Sequence, residues 1–396
     1  MRTISKARRL PGIAVSVVLG MWVVAYLGAP VQAAPGDVVV GDQDALGGAG
    51  AVIRIDPVDG AQSTVSSDGS FSRPSGVIFD ADGHLLVADQ DAFAGEAGGL
   101  IRVDPRTGEQ HTVSSGGSFE SPSGIALAQN GAILVADGDA FGGPGGIIRV
   151  DPTTGAQSTL SSGGDFSAPF HLTVGPDGTI LVSDADAFGS GAVIRVDPVS
   201  GDQDTVSSGD FFQNPEGIAV AADGQIFVAD LGADLGGTGS VIRVDPVTGA
   251  QVVVATGGNL VDPIGLAFDF DGDLLVADYG ASGGSGSAIL IDPATGSQSP
   301  VSSGGTLVDP YGIAVERAQP CKGRSVTHLG TSGKDALVGT PAEDVFFGQG
   351  GADVIKGLGG NDVVCAGCGN DTVNGGGGKD RLLGEGGKDR LKGAGG

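Results

Sequence analysis

The sequence predicts an all-β protein: a six-bladed β-propeller closed by strands from its two ends, followed by a parallel β-roll. Three observations predict it. A repeat of about 47 residues runs through the first three quarters of the chain, that array starts and stops in mid-unit, and a strict nine-residue Asp period fills the C-terminal end. Composition agrees. Of 396 residues 75 are Gly with no three-residue period, 40% are hydrophobic and Val and Ile recur, so a packed β core is affordable and disorder is not expected.

Residues 1–33 read as a signal peptide. Arg2, Lys6, Arg8 and Arg9 form a basic head, residues 13–29 an apolar run, and Val31-Gln32-Ala33 a small-residue cleavage site. The Arg8-Arg9 pair also fits a twin-arginine head. Export into a secreted, extracellular setting, with or without attachment to a cell surface, follows, and with it access to disulfides and millimolar calcium. No stable membrane anchor is expected after cleavage.

Residues 34–316 hold the long repeat. The Asp of VIRVDP-like strings falls at 56, 104, 151, 197, 245 and 292, in steps of 46 to 48. Between them recur P-x-G-I-A and D-G-x-L-L-V-A-D. In the unit starting at Pro215 the β-type runs are GIAVA, QIFVAD, VIRVDP and AQVVVA, separated by Gly-rich turns. Four strands at this period make a propeller blade. The array opens with DVVVGD (37–42), which matches a second strand, and ends with PYGIAV (310–315), which matches a first strand. Together they form one composite blade, six in all, and the closed ring leaves no open sheet edge.

The repeated P-x-G-I-A and L-x-V-A-D strings over 36–316 resemble NHL and streptogramin-lyase-like propellers. The resemblance implies the fold and leaves the activity open, because such propellers host many functions. Positions that break the repeat mark the channel mouth: Arg73, Asn214, Glu216, Asp262, Asp309 and Tyr311, with His171 where other units carry Gly. Asn214, Glu216, Asp262, Asp309 and His171 are candidates for a metal-dependent lyase or lactonase site. Gluconolactonase-like propellers are similar in carrying acidic and amide ligands there, and streptogramin lyases use His and Glu with magnesium. Against that reading, the chain has four His residues and His171 lacks an acid–base partner. The recurring Arg54, Arg102, Arg149, Arg195 and Arg243 are expected to pair with carboxylates between strands. The pairs Asp89/Asp91, Asp137/Asp139 and Asp184/Asp186 have the chemistry to bind cations, but Asp in such loops more often caps turns, and that role is expected here.

Residues 317–330 read as a linker and 331–396 as a calcium-binding β-roll. Asp occurs at 335, 344, 353, 362, 371, 380 and 389. An apolar residue follows two places later at Leu337, Phe346, Ile355, Val364, Val373, Leu382 and Leu391. This is G-G-x-G-x-D-x-U-x, and the stretch is identified as RTX, or hemolysin-type, calcium repeats. The predicted metal-binding residues are Asp335, Asp344, Asp353, Asp362, Asp371, Asp380 and Asp389, with turn glycines Gly348, Gly350, Gly351, Gly357, Gly359, Gly360, Gly367, Gly369, Gly376 and Gly378. Asp supplies the hard anionic oxygen that Ca2+ prefers, and the glycines let backbone carbonyls turn inward. The β-roll that this resembles has two nonapeptides per coil, which places each ion between loops eighteen residues apart. Asp353, Asp362 and Asp371 are the best ligands. Asp335 and Asp344 lie in degenerate turns, and Asp380 and Asp389 have basic neighbours.

Within the repeat, Cys365-Ala-Gly-Cys368 has the spacing of a zinc knuckle or a redox dithiol, but nothing nearby completes four zinc ligands. The nonapeptide phase puts Val364 inward and Cys365 outward. A Cys321–Cys365 disulfide to the linker is expected, with Cys368 as the odd thiol.

Charge bounds the partners. Residues 34–320 carry 8 basic and 38 acidic residues, a net −30, whereas residues 321–396 are neutral. That balance argues against nucleic acid and favours cations. The expected function is that of a secreted calcium-binding protein whose propeller binds an unknown protein, glycan or small-molecule ligand, or acts as a scaffold. A metal-dependent lyase or lactonase and a surface or matrix structural protein are the alternatives.

Overall fold

The computed structural model describes residues 36–316, 326–330 and 334–393, apart from 81, 93–97, 233–237, 270–271, 282–284, 349–350, 368 and 385. The expected signal peptide, Cys321, Gly350 and Cys368 lie outside the described residues. Six four-stranded antiparallel sheets follow one another along the chain. Their innermost strands are Pro74–Phe79, Pro122–Leu127, Pro169–Val174, Pro215–Val220, Pro263–Phe268 and Pro310–Val315. The last of these pairs with Val38–Asp42, in the register Val38↔Val315 and Val40↔Ile313, which completes the composite blade and closes the propeller. Glu316 N–H donates to Asp37 O and Gly36 N–H to Glu316 O just beyond it.

The core lies between neighbouring sheets. In the strand Leu85–Asp89, Leu85 and Val87 pack with Val39 and Val52 of the preceding blade, while Leu86 and Ala88 pack with Ile125 and Val135 of the following one. The strand is therefore buried on both faces, which explains its near-continuous apolar run. Each fully buried Val, Leu or Ile contributes roughly 1.5–3 kcal/mol.

Polar staples set the geometry within and between blades. The Asp that ends each second strand (Asp42, Asp89, Asp137, Asp184, Asp230, Asp278) is completely buried. Each accepts hydrogen bonds from the two backbone N–H groups ahead of the inner strand's proline: Ser72 and Arg73 on Asp89 at 2.9 and 3.0 Å, Val308 and Asp309 on Asp42 at 2.7 and 3.1 Å. The expected turn-capping role of Asp89, Asp137 and Asp184 is thus met in a buried, non-local form. A second staple crosses between blades. Gln110 Nε2 donates to Ser66 Oγ at 3.0 Å, and Gln110 Oε1 accepts from Ser70 N–H at 2.7 Å. Gln157, Gln203 and Gln251 do the same one blade further on, and Gln62 reaches Ser302 across the closure.

The recurring arginines pair with carboxylates in part. Arg102 meets Asp80 and Arg195 meets Asp204, both at 3.0 Å. Arg54 meets Asp37 at 3.5 Å and Glu316 at 3.8 Å. Three of the arginines also reach the carbonyl of the next blade's Asp-Pro turn: Arg54 to Pro105, Arg149 to Pro198 and Arg195 to Pro246.

C-terminal to the propeller, residues 328–393 form a parallel β-solenoid of two sheets. One holds His328–Leu329, Val345–Phe347, Val363–Cys365 and Arg381–Leu383; the other holds Ala336–Val338, Val354–Lys356, Thr372–Gly376 and Arg390–Gly393. Partners in register are eighteen residues apart, as in Phe346↔Val364 and Ile355↔Val373, so two nonapeptides do make one coil. Phe346, Ile355, Val364 and Val373 fill the space between the sheets at 0% exposure.

The staples yield one prediction. Asp278→Ala strands the N–H groups of Val261 and Asp262 in the interior and should lower unfolding free energy by about 2–4 kcal/mol. Asp245→Ala, which removes a solvent-exposed turn cap of the same residue type, should move the midpoint of the same denaturant titration far less.

Candidate functional site

The Asp of each nonapeptide sits just before a strand, and its carboxylate faces the coil eighteen residues earlier. Asp353 Oδ1 accepts from Asp335 N–H at 2.8 Å, Asp362 from Asp344, Asp371 from Asp353, Asp380 from Asp362 and Asp389 from Asp371. The other oxygen behaves differently. Oδ2 of Asp353, Asp362, Asp371 and Asp380 is buried and has no hydrogen-bond partner. Burial pushes the Asp353 carboxyl up to about 6 despite the Asp335 N–H, and raises Asp362 and Asp371 in the same way.

Backbone carbonyls converge on the same spots. A Cβ at Gly357 would collide with both Asp362 Oδ2 and the Gly375 carbonyl. Two oxygens therefore share one small volume beside a residue that must lack a side chain. Gly378, at φ 127°, lies directly against the Gly360 carbonyl, a conformation and a spacing closed to other residues. Among the described residues no three His, Cys, Asp or Glu side chains come together to hold a metal ion. An ion in these turns would thus be held by single carboxylates plus carbonyls, the donor set of a hard cation.

The first complete coil departs from this pattern. Asp344 Oδ2 accepts from Thr340 N–H at 2.6 Å and Thr340 Oγ1–H at 3.0 Å, so its charge is satisfied by the protein itself. His328 occupies the inward position one coil before Phe346 and stacks on it at 4.7 Å. Cys365 departs in another way. Its side chain was expected on an outward face, and it does lie opposite Val364, but it is only 2% exposed, packed with Val345, Phe347 and Val363. The outward face of this sheet is apolar and covered. Cys365 is disulfide-bonded, and its partner lies outside the described residues.

At the propeller, the buried Asp staples place the pre-proline residues Arg73, Asn214, Asp262 and Asp309 around one end of the channel. Asp309 is held up at about 6 by burial and by the neighbouring Asp44 and Asp42. Glu216 is 7% exposed, its Oε2 has no partner, and burial pushes it up to about 8 although Asn214 donates to it. The His171 imidazole is held neutral by burial, near 4, with Nδ1 unpartnered. Tyr279, Gln43 and Gln90 join this end and escaped the sequence reading. They stand directly after the buried Asp, where the other blades have Gly138, Ala185 and Leu231. Arg73 is engaged by Gln43 at 3.1 Å and Asp91 at 3.4 Å. Burial, and then the charges of Asp262, Asp309 and Glu216, raise the Tyr279 phenol, and no three of the described carboxyl, His or Cys side chains gather into a metal site.

These features define a class: a six-bladed β-propeller followed by a calcium-type β-solenoid. Residues 329–364 and 367–396 match the RTX calcium-binding nonapeptide repeat, so the C-terminal segment carries RTX repeats. The propeller is similar to a chain in a crystal structure of a nidogen/laminin complex, with 16% identity, a TM-score of 0.56, and coverage of 72% of this chain and 99% of that one. It is similar to TolB from Acinetobacter baumannii at 17% identity and a TM-score of 0.56, over 72% of this chain and 67% of that one. Both are likenesses of fold. No curated protein matches the chain.

Two outcomes are expected. Asp362→Asn should weaken calcium binding about 10–100-fold in a chelator-competition titration, whereas Asp344→Asn should leave it within about threefold and lower stability instead. In the propeller, Glu216 has a folded-state value raised to about 8 from the usual 4.5. Its stabilising protonated form is complete below its unfolded value and lost as pH rises through 8. Thermal midpoints measured from pH 6 to 9 should fall, and Glu216→Gln should flatten that fall.

Proposed function

We propose that this chain is an exported calcium-binding protein in which the RTX roll folds around Ca2+ and the propeller serves as a binding module. The observation that carries the reading is the set of four buried, unpartnered carboxylate oxygens on Asp353, Asp362, Asp371 and Asp380. A buried carboxylate oxygen without a partner is costly, and a hard cation is the group that offsets it beside backbone carbonyls. These four Asp residues are the side-chain ligands, with Asp335 and Asp389 at the ends and carbonyls of the Gly-rich turns completing each site. Asp344 serves as an internal cap.

Binding and folding are coupled in this reading, because without the cation the stacked carboxylates repel and the glycine-rich turns keep their chain entropy. The signal-like N-terminus and the RTX repeats, a family typical of secreted proteins, support export. Among the described residues no helix is long and apolar enough to cross a membrane. The calcium-rich, oxidising surroundings of an exported protein also suit the disulfide at Cys365, for which Cys321 is the proposed partner.

Circular dichroism and limited proteolysis of the mature chain in EGTA, then in calcium, test the central claim. Calcium should add β signal and protect the segment after residue 330. No calcium-dependent change would sink the reading. A non-reduced peptide map should show Cys321 joined to Cys365, and a Cys365–Cys368 link would reassign the staple.

A further inference from the structure

The propeller channel is closed by two rings. Phe170 and Tyr311 each follow the proline of an inner strand, and their blades are three apart, opposite one another across the ring. Their ring centroids nevertheless lie 6.2 Å apart at 45°. They therefore meet on the axis, and the mouth becomes a cup with an aromatic floor.

Acid surrounds this end. The buried staples hold Asp262 and Asp309 just before the prolines of two inner strands, and Glu216 follows the proline of a third, the position that Phe170 and Tyr311 occupy in theirs. Glu216 is more than nine-tenths buried and its Oε2 is unpartnered. Arg73, the basic residue at this mouth, is already held by Gln43 and Asp91.

We propose that this cup binds an organic cation, an ammonium or guanidinium group. The proposal rests on the reading of the propeller as a binding module and names the chemistry of its ligand. Its chemistry excludes the alternatives one by one. An anion meets two or three carboxyl groups. A neutral apolar group leaves the Glu216 oxygen and the aspartates desolvated without donors. A bare divalent ion would need backbone carbonyls to complete its shell, as in the roll, because among the described residues no group of three carboxylates forms here. An organic cation needs only one or two of these carboxyl groups as charge-assisted acceptors, the aspartates foremost, and it lays its apolar stem on the aromatic rings.

A second feature of the same end suggests how the cation is presented. Leu46, Phe141 and Phe188 occupy equivalent loop positions in three blades, exposed by 50, 38 and 59%. All three have left-handed backbone, at φ 56, 63 and 55°, which bulky L-residues avoid. Apolar side chains held out in a strained conformation around an acidic cup suit a ligand that is itself flanked by apolar surface.

The test is a calorimetric titration of the mature chain in calcium with butylguanidinium, butylammonium, neutral valeramide and anionic valerate, and with a capped Leu-Arg-Phe tripeptide. The cations should saturate at least about tenfold tighter than valeramide or valerate. The isosteric double variant Asp262→Asn/Asp309→Asn, with an unchanged circular dichroism spectrum, should lose about tenfold or more. A tripeptide that binds tighter than butylguanidinium makes the source a polypeptide side chain; equal affinity makes it a free amine or guanidine. Saturable binding of valeramide or valerate in preference overturns the cation and leaves the propeller a binding module. Displacement of the cations by micromolar zinc or magnesium overturns it in favour of a metal site. A folded protein that binds none of the probes counts against both the proposal and the binding-module reading.

Discussion

The propeller depends on a buried carboxylate that has no water to turn to. In each blade the Asp ending the second strand is fully buried, and its compensation is the pair of N–H groups ahead of the inner strand's proline. Proline itself has no N–H to offer, so the two residues before it supply the donors. This pins the entry to every inner strand. The pre-proline residues are then held at the channel end, and the residue after proline is fixed just inside it. Arg73, Asp262 and Asp309, and then Glu216, Phe170 and Tyr311, owe their positions to that staple. The same interaction joins Asp42 to Val308 and Asp309, across 266 residues, so the closure is the repeat's own chemistry applied once more.

The roll uses the same group in a different state. In the propeller both oxygens of Asp89 are engaged, Oδ2 by Ser72 N–H and Oδ1 by Arg73 and Asp91 N–H. In the roll Asp362 engages only Oδ1, and Oδ2 is left over. The propeller therefore satisfies these carboxylates from its own backbone, and the roll leaves one oxygen without a donor on each of Asp353, Asp362, Asp371 and Asp380. Asp344 stands between the two cases, since Thr340 supplies to it what an ion would supply elsewhere.

Both periods were legible in the sequence because each blade and each coil repeats the same local solution, and so were the composite blade and the inward row of Phe346, Ile355, Val364 and Val373. What sequence reading missed is non-local. Gln110 sits in an outer strand that looks solvent-facing, and only the packing of two blades gives it Ser66 and Ser70 as partners. Phe170 and Tyr311 are 141 positions apart and meet because their blades are opposed in a ring. Strand alternation placed Cys365 opposite Val364 correctly, but it says nothing about what covers that face. A signal was present: Val345, Phe347, Val363 and Cys365 are apolar where the other sheet has Lys356, Thr372 and Asn374. Glu216 was singled out as a break in the repeat, yet its unpartnered oxygen follows from burial, which the string of residues does not carry.

The two ends of the solenoid are chemically unequal, and this gives its dependence on ions a direction. At the N-terminal end Thr327 Oγ1 accepts from Val345 N–H and donates to Val345 O, His328 stacks on Phe346, and Thr340 satisfies Asp344. In that coil Asp344 is satisfied by the chain itself. Each later Asp receives one hydrogen bond from the coil before it and so depends on that coil being formed. Its second oxygen, from Asp353 to Asp380, has no donor in the chain. At the C-terminal end the core thins, Leu391 is 45% exposed, and lysines 379 and 388 stand beside the last carboxylates. Polar satisfaction thus passes along the roll from a first coil whose Asp344 is capped by Thr340, through turns that each keep one unpartnered carboxylate oxygen, to a charged and open last coil. On the proposed calcium-coupled folding, the N-terminal coil would owe least to the ion and the turns from Asp353 to Asp380 would owe most.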